Sequence, residues 1–83
     1  MERKEIYSIL DGERDFQDSK WGGKQNDNYH EVESWVLYMQ HYLTKAINRV
    51  STEKGTQGGL DELRKVVALG IACFEVHGVP ERK

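Results

Sequence analysis

Three places along this chain carry side chains whose types suit chemistry. The segment His30-Glu31-Val32-Glu33 sets an imidazole beside two carboxylates where a helical pattern begins. Such a corner either holds a metal ion or sits in water as the charged start of a helix, and Glu31 follows Asn28 at the spacing of a capping box. The segment Leu60-Asp61-Glu62-Leu63-Arg64-Lys65 places two carboxylates ahead of two cations. Asp61 and Glu62 in a first turn would complement the helix dipole. Arg64 and Lys65 either meet a phosphate through charge-assisted hydrogen bonds or remain solvated surface charges. Trp21 precedes Gly22-Gly23, and glycines let backbone approach a ligand closely. The indole therefore either stacks on a base or plugs the top of a helical hairpin.

Other reactive residue types are less suggestive. His30 and His41 share a helical face but lie about three turns apart, too far to chelate one ion within a chain. Cys73 stands in an apolar helix with no nucleophilic partner nearby in sequence, as expected of a buried structural thiol. The chain has no phosphate-binding G-x-x-x-x-G-K-[ST], no G-x-G-x-x-G, no C-x-x-C and no nucleophile elbow.

Three helical segments must position these groups. The first runs from about Glu2 to Ser19, with Ile6, Ile9, Leu10 and Phe16 on one side and Gly12 as a weak point. "KWGGKQNDN" then breaks the chain with turn-favouring residues. From Asn28 to about Ser51, Val32, Val36, Met39, Leu43, Ala46 and Val50 recur at steps of four and three, which keeps them on one stripe. Trp35, Tyr38 and Tyr42 make a second stripe beside it, so this helix faces more than one neighbour. After "STEKGTQGG", a third helix runs from about Leu60 to His77. Its leading line is Leu60, Leu63, Val67, Gly70, Phe74 and His77, flanked by Val66, Leu69, Cys73 and Val76, and Gly78 with Pro80 supplies the stop. The expected fold is a single all-α domain over residues 1–83, an antiparallel helical hairpin with a shorter N-terminal helix across it. Homo-oligomerisation, as a dimer or higher assembly, would complete the helical bundle.

The totals bound the function classes. Eighty-three residues support only a thin core, so help from a second chain is expected. Twelve Lys and Arg against fourteen Asp and Glu give a net charge of −2, without the basic block that a nucleic-acid polymer or membrane surface requires. One cysteine excludes an internal disulfide and suits a reducing cytoplasm. "MERKEIYSIL" lacks the apolar region of a signal peptide, and no run is long enough for a membrane span.

"ERDFQDSKWGGKQND", followed by "HEVESW" and "LDELRKVVALGIACFEVHG", resembles the MazG-like branch of the all-α nucleoside triphosphate pyrophosphohydrolases, particularly short forms found in bacteriophage genomes. The resemblance spans about residues 13–78, and its most specific element is the opening E-R-x-x-Q-D-x-K-W-G. Such enzymes present a Glu-Glu-x-x-Glu cluster on one helix and a Glu-x-x-Asp pair on the next, which hold magnesium against a triphosphate and position the attacking water. Those motifs fall here on His30, Glu31 and Ser34, then on Glu62 and Lys65.

In the catalytic version that the resemblance implies, magnesium sits on Glu31, Glu33 and Glu62; in a binding version read from the residues themselves, Arg64 and Lys65 hold phosphates and Trp21 covers a base. Glu33 lies about 100° around the helix from Ser34, and Lys65 puts positive charge where an aspartate would bind the cation. These departures favour a nucleotide-binding protein with weak or no pyrophosphohydrolase activity, a phage protein that binds or depletes nucleotides in the host cytoplasm. A second expectation, from a different class, is a helical interaction module, an accessory or anti-host factor with a host protein partner. Its support is the breadth of apolar and aromatic surface on the second helix.

Overall fold

Four helices make up the computed structural model, which describes residues 1–82: α1 (Arg3–Trp21), α2 (Gly23–Asp27), α3 (Val32–Thr52) and α4 (Gln57–His77). No strand occurs among the described residues, and no helix there is long and apolar enough to cross a membrane. α3 and α4 form the antiparallel hairpin, and α4 also carries α1 and α2 on its other flank. Among the described residues, neither α1 nor α2 packs on α3. α4 is therefore a common floor with a groove above it, walled by α1 and α2 on one side and by α3 on the other.

Element boundaries differ from the sequence pattern in three places, each for a local reason. The break "KWGGKQNDN" contains the short helix α2. Gly22 (φ +91°) caps α1 through its N–H to the Asp18 carbonyl, and Gly23 (φ +65°) restarts the chain at an angle only a left-handed backbone supplies. Asn28 closes α2, its N–H bonded to the Lys24 carbonyl, so α3 starts later and Glu31 rather than Asn28 is its N-cap. α4 begins at Gln57 rather than Leu60 and runs through two buried glycines. A Cβ on Gly59 would overlap Val50 Cγ1, so the glycine pair lets the start of α4 close against the end of α3.

Burial divides the helix stripes. The hairpin seam is Trp35, Met39 and Tyr42 of α3 against Leu69, Ala72, Cys73 and Val76 of α4. Much of the aliphatic lines stays outside: Val32, Val36, Leu43 and Val50 of α3 and Leu60, Leu63, Val67 and Phe74 of α4 are all at least 40 % exposed. The inward face of α3 draws on both lines: Trp35 and Tyr42 of the aromatic stripe share it with Met39 and Ala46 of the aliphatic one, while Tyr38 stays 43 % exposed.

A guanidinium joins the remaining helices. Arg14 of α1 is 6 % exposed. Its Nη1 donates to Gln17 Oε1 (2.9 Å), and its Nη2 donates to Asp18 Oδ1 (2.8 Å) and to Glu75 Oε2 of α4 (2.7 Å). Asp27 Oδ2 of α2 lies 3.5 Å from the same nitrogen. Burial works against the charge, but Glu75 and Asp18 outweigh it and hold Arg14 firmly protonated. Gln17, almost wholly buried, adds a long hydrogen bond from its amide to the Lys65 carbonyl (3.5 Å). Arg14→Met should lower unfolding free energy by about 2 kcal/mol, since it leaves carboxylates on three helices without their shared cation. Urea denaturation followed by far-ultraviolet circular dichroism measures this.

Candidate functional site

The groove over α4 has an aromatic end and a charged end. At the aromatic end, Trp35, Tyr38 and His30 meet edge to face with ring centroids 5.3–6.4 Å apart. The same cavity, about 490 Å³, takes in Trp21 from α1, Asn26 and Asp27 from α2, and Tyr42 from α3, with Leu69 beneath. The linker before α3 is tied to the end of α4 by His77, whose Nε2–H donates to the His30 carbonyl (2.9 Å). Trp35 Nε1 is buried without a partner. Asp27 is 8 % exposed, and neither of its carboxylate oxygens takes a hydrogen bond among the described residues. Burial pushes its carboxyl up, with Arg14 pulling the other way.

At the charged end a second cavity of about 420 Å³ runs between Phe16, Lys20 and Trp21 of α1 and Tyr42 and Lys45 of α3. Its α4 wall is Asp61, Arg64 and Lys65, and Glu13 closes the α1 side. Four cations thus face two carboxylates. Arg64 is already engaged, with Nε on Glu13 (2.7 Å) and Nη2 on Asp61 (2.6 Å). Lys65 Nζ lies 3.2 Å from Glu62 Oε1 and 3.5 Å from Asp61 Oδ2. Lys20 and Lys45 make no ion pair among the described residues and lie over the rings of Trp21 (5.4 Å) and Tyr42 (4.9 Å). Trp21 and Tyr42 line both cavities, so the two ends adjoin at these rings.

Of the residues singled out in the sequence, the structure brings together Trp21, Arg64 and Lys65, with Glu62 beside them. Glu31 and Glu33 lie elsewhere. Glu31 caps α3 at the His77 end, and both side chains are exposed. Glu62 is bonded instead to Arg49, which stands roughly 27 Å along α3 from Glu31. The set Glu31, Glu33 and Glu62 therefore does not converge within one chain. Glu62 is buried, its Oε1 shared by Arg49 (3.1 Å) and Lys65 (3.2 Å) and its Oε2 unpartnered. Two cations already occupy the space a magnesium ion would need, and no group of three metal-ligating side chains is assembled among the described residues. The residues present do not fit the metal centre that the family resemblance implies. Asp61 and Glu62 also lie past the first turn of α4, so their partners are Arg49, Arg64 and Lys65 rather than the helix dipole.

Comparison with protein-family models, curated proteins and solved structures finds no match to this chain.

Lys20, Lys45 and Asp27 were not singled out by sequence pattern. Asp27 offered one signal, a carboxylate just after the glycine pair where only turn residues were needed. Lys20 and Lys45 offered none, because their shared cavity joins residues from two helices that do not touch. Cys73 is buried, and its thiol is pushed up by that burial.

The acid limb of stability should report the charged end. Burial acts to raise Asp61, but Arg64, Arg49 and Lys65 outweigh it and hold its carboxyl below the ordinary 3.8. A depressed folded value means that Asp61 stabilises the fold above about pH 4 and loses that contribution as pH falls toward the folded value. Asp61→Asn should therefore flatten the loss of melting temperature below pH 4, and the difference should shrink in high salt because the carboxylate is one-third exposed. Thermal melts between pH 2.5 and 7 measure both effects.

Proposed function

We propose that this protein binds a nucleotide in the groove over α4, with the phosphates at the cationic end and the base in the aromatic cavity. The observation that carries it is the pair of aromatic rings shared by the two adjoining cavities. Trp21 and Tyr42 wall both, so a ligand that stacks on them has its polar tail beside Lys20 and Lys45. A base–ribose–phosphate is a molecule of that shape and polarity, flat and apolar at one end and anionic at the other. Phosphate contact comes first from Lys20 and Lys45, which give up no ion pair among the described residues, while Arg64 and Lys65 must share their charge with Asp61, Glu13 and Glu62. Binding of this kind needs no metal from the protein, and no carboxylate at the cationic end is free to hold one. We read the protein as a binder that sequesters nucleotide without cleaving it.

Calorimetric titration with the four nucleoside triphosphates, in EDTA and in magnesium, tests this, with pyrophosphate release assayed in parallel. Binding should persist in EDTA, and Lys20→Ala/Lys45→Ala should weaken it by about ten-fold or more with the fold unchanged. Absence of binding by every nucleotide overturns the proposal and leaves the apolar face, with a protein partner, as the functional surface. Pyrophosphate release that requires Glu31 and Glu62 would instead make the protein a hydrolase.

We further infer that a second copy of the chain covers the exposed aliphatic lines of α3 and α4. The protomer exposes 6513 Å², against about 5,100 Å² expected of a compact chain of this mass. The excess, about 1,400 Å², exceeds the roughly 800 Å² that each partner contributes to a standard interface. Apolar residues buried in the protomer number seven, three of them alanine, which is a small core for this length. Two hairpins face to face would supply the rest and form a four-helix core. Sedimentation equilibrium should give twice the 9.6 kDa chain mass, and Val36→Glu/Leu63→Glu should give the monomer. A wild-type protein that stays monomeric at high micromolar concentration overturns the inference.

A further inference from the structure

Asp27 is costly where it stands. Its side chain is only 11 % exposed, it lines the aromatic cavity as well as the smaller one formed with Arg14, Lys24 and Glu75, and it accepts no hydrogen bond among the described residues, with Arg14 3.5 Å away. Arg14 makes its hydrogen bonds to Asp18 and Glu75, at 2.8 and 2.7 Å, and meets Asp27 only at the longer distance. A mostly buried carboxylate that accepts no hydrogen bond keeps acceptor capacity for a ligand in the cavity it lines. Asn26 lies on the same wall of the cavity and offers an amide.

We propose that the base cavity selects guanine, with Asp27 accepting the N1–H and N2–H donors of that base and Asn26 donating to its O6. This rests on the nucleotide proposal above and names the ligand of that same site. The choice follows from hydrogen-bond complementarity. A carboxylate only accepts, and it has two oxygens side by side. Guanine is the common base whose pairing edge presents two adjacent donors. Adenine and cytosine each set a ring-nitrogen acceptor beside their amino group, and uracil flanks its single N–H with two carbonyl acceptors. Each of those turns an acceptor toward the carboxylate and leaves a buried oxygen repelled rather than paired, which is how a polar site rejects a near-isostere. Trp21 and Tyr42 supply the stacking surface, which is indifferent to base identity. Discrimination therefore falls to Asp27 and Asn26.

Competition calorimetry among GTP, ATP, CTP and UTP, with inorganic triphosphate as a base-free probe, tests the inference. GTP should bind at least about ten-fold more tightly than the other three. Asp27→Asn should erase that preference by lowering GTP affinity toward that of ATP, while triphosphate affinity stays as in the wild type. This variant keeps the side-chain size and removes a charge that burial disfavours, so circular dichroism and the melting temperature should report an intact fold. Equal affinity for all four nucleotides, or a preference for another base, overturns the guanine assignment and leaves the nucleotide proposal standing. A guanine preference that survives in Asp27→Asn also overturns it. Binding of triphosphate with no gain from any base removes the aromatic cavity from the site, and silence from every probe removes both proposals.

Discussion

The buried guanidinium of Arg14 is the constraint on which the groove depends. Its hydrogen bond to Glu75 binds α1 to α4, Asp18 orients the guanidinium from within α1, and Asp27 brings α2 to the same point. Polar contacts carry much of the α1–α4 junction, with Glu13–Arg64 and Gln17–Lys65 beside Arg14, because the apolar contacts of α1 are few: Leu10 is its one buried hydrophobic residue. A buried ion cluster is expensive to desolvate, and a hydrophobic contact of the same volume can stabilise as well or better. What the ions add here is direction. They fix the corner that carries Trp21 and Asp27 at one height above α4, which a sliding apolar contact would not do.

From that placement the division of labour among the helices follows. α4 is packed by every other helix and has the most buried residues, so it is the rigid element. α1 and α2 on one flank and α3 on the other never meet, and the gap between them is the site. The gap is lined by long or flat side chains, Lys20, Lys45, Trp21 and Tyr42, which span from each wall without filling the middle. A fold with so little of its own core has no spare apolar surface to close such an opening. The aliphatic surface that it does have lies on the outer face of the hairpin, away from the groove.

At the charged end the cations are matched to carboxylates of the chain itself. Lys65 neutralises Glu62 together with Arg49. Carboxylates that would gather a cation instead gather side-chain cations, so the local field is set by the protein and not by an ion. That field, four positive groups against two negative, suits an anionic ligand without a metal bridge.

Helical class, the hairpin and the three long segments were legible in the sequence, because a period of 3.6 in apolar residues and the glycine-rich breaks act locally. Trp21, Arg64 and Lys65 were legible as candidates because their residue types are few and their neighbours unusual. Which side of α3 and α4 turned inward was not legible: the neighbouring lines are equally periodic, and only packing shows that Trp35, Met39 and Tyr42 of α3 meet Leu69, Ala72 and Cys73 of α4. The short α2 was hidden in a stretch of turn formers, and the roles of Lys20, Lys45 and Asp27 arose only when separate helices closed on α4. By itself the sequence determined which segments are helical, since that depends on residues within a turn or two of one another. Tertiary structure alone decided which side chains share a cavity, because that depends on the angle and height at which the buried Arg14 cluster sets one helix against another.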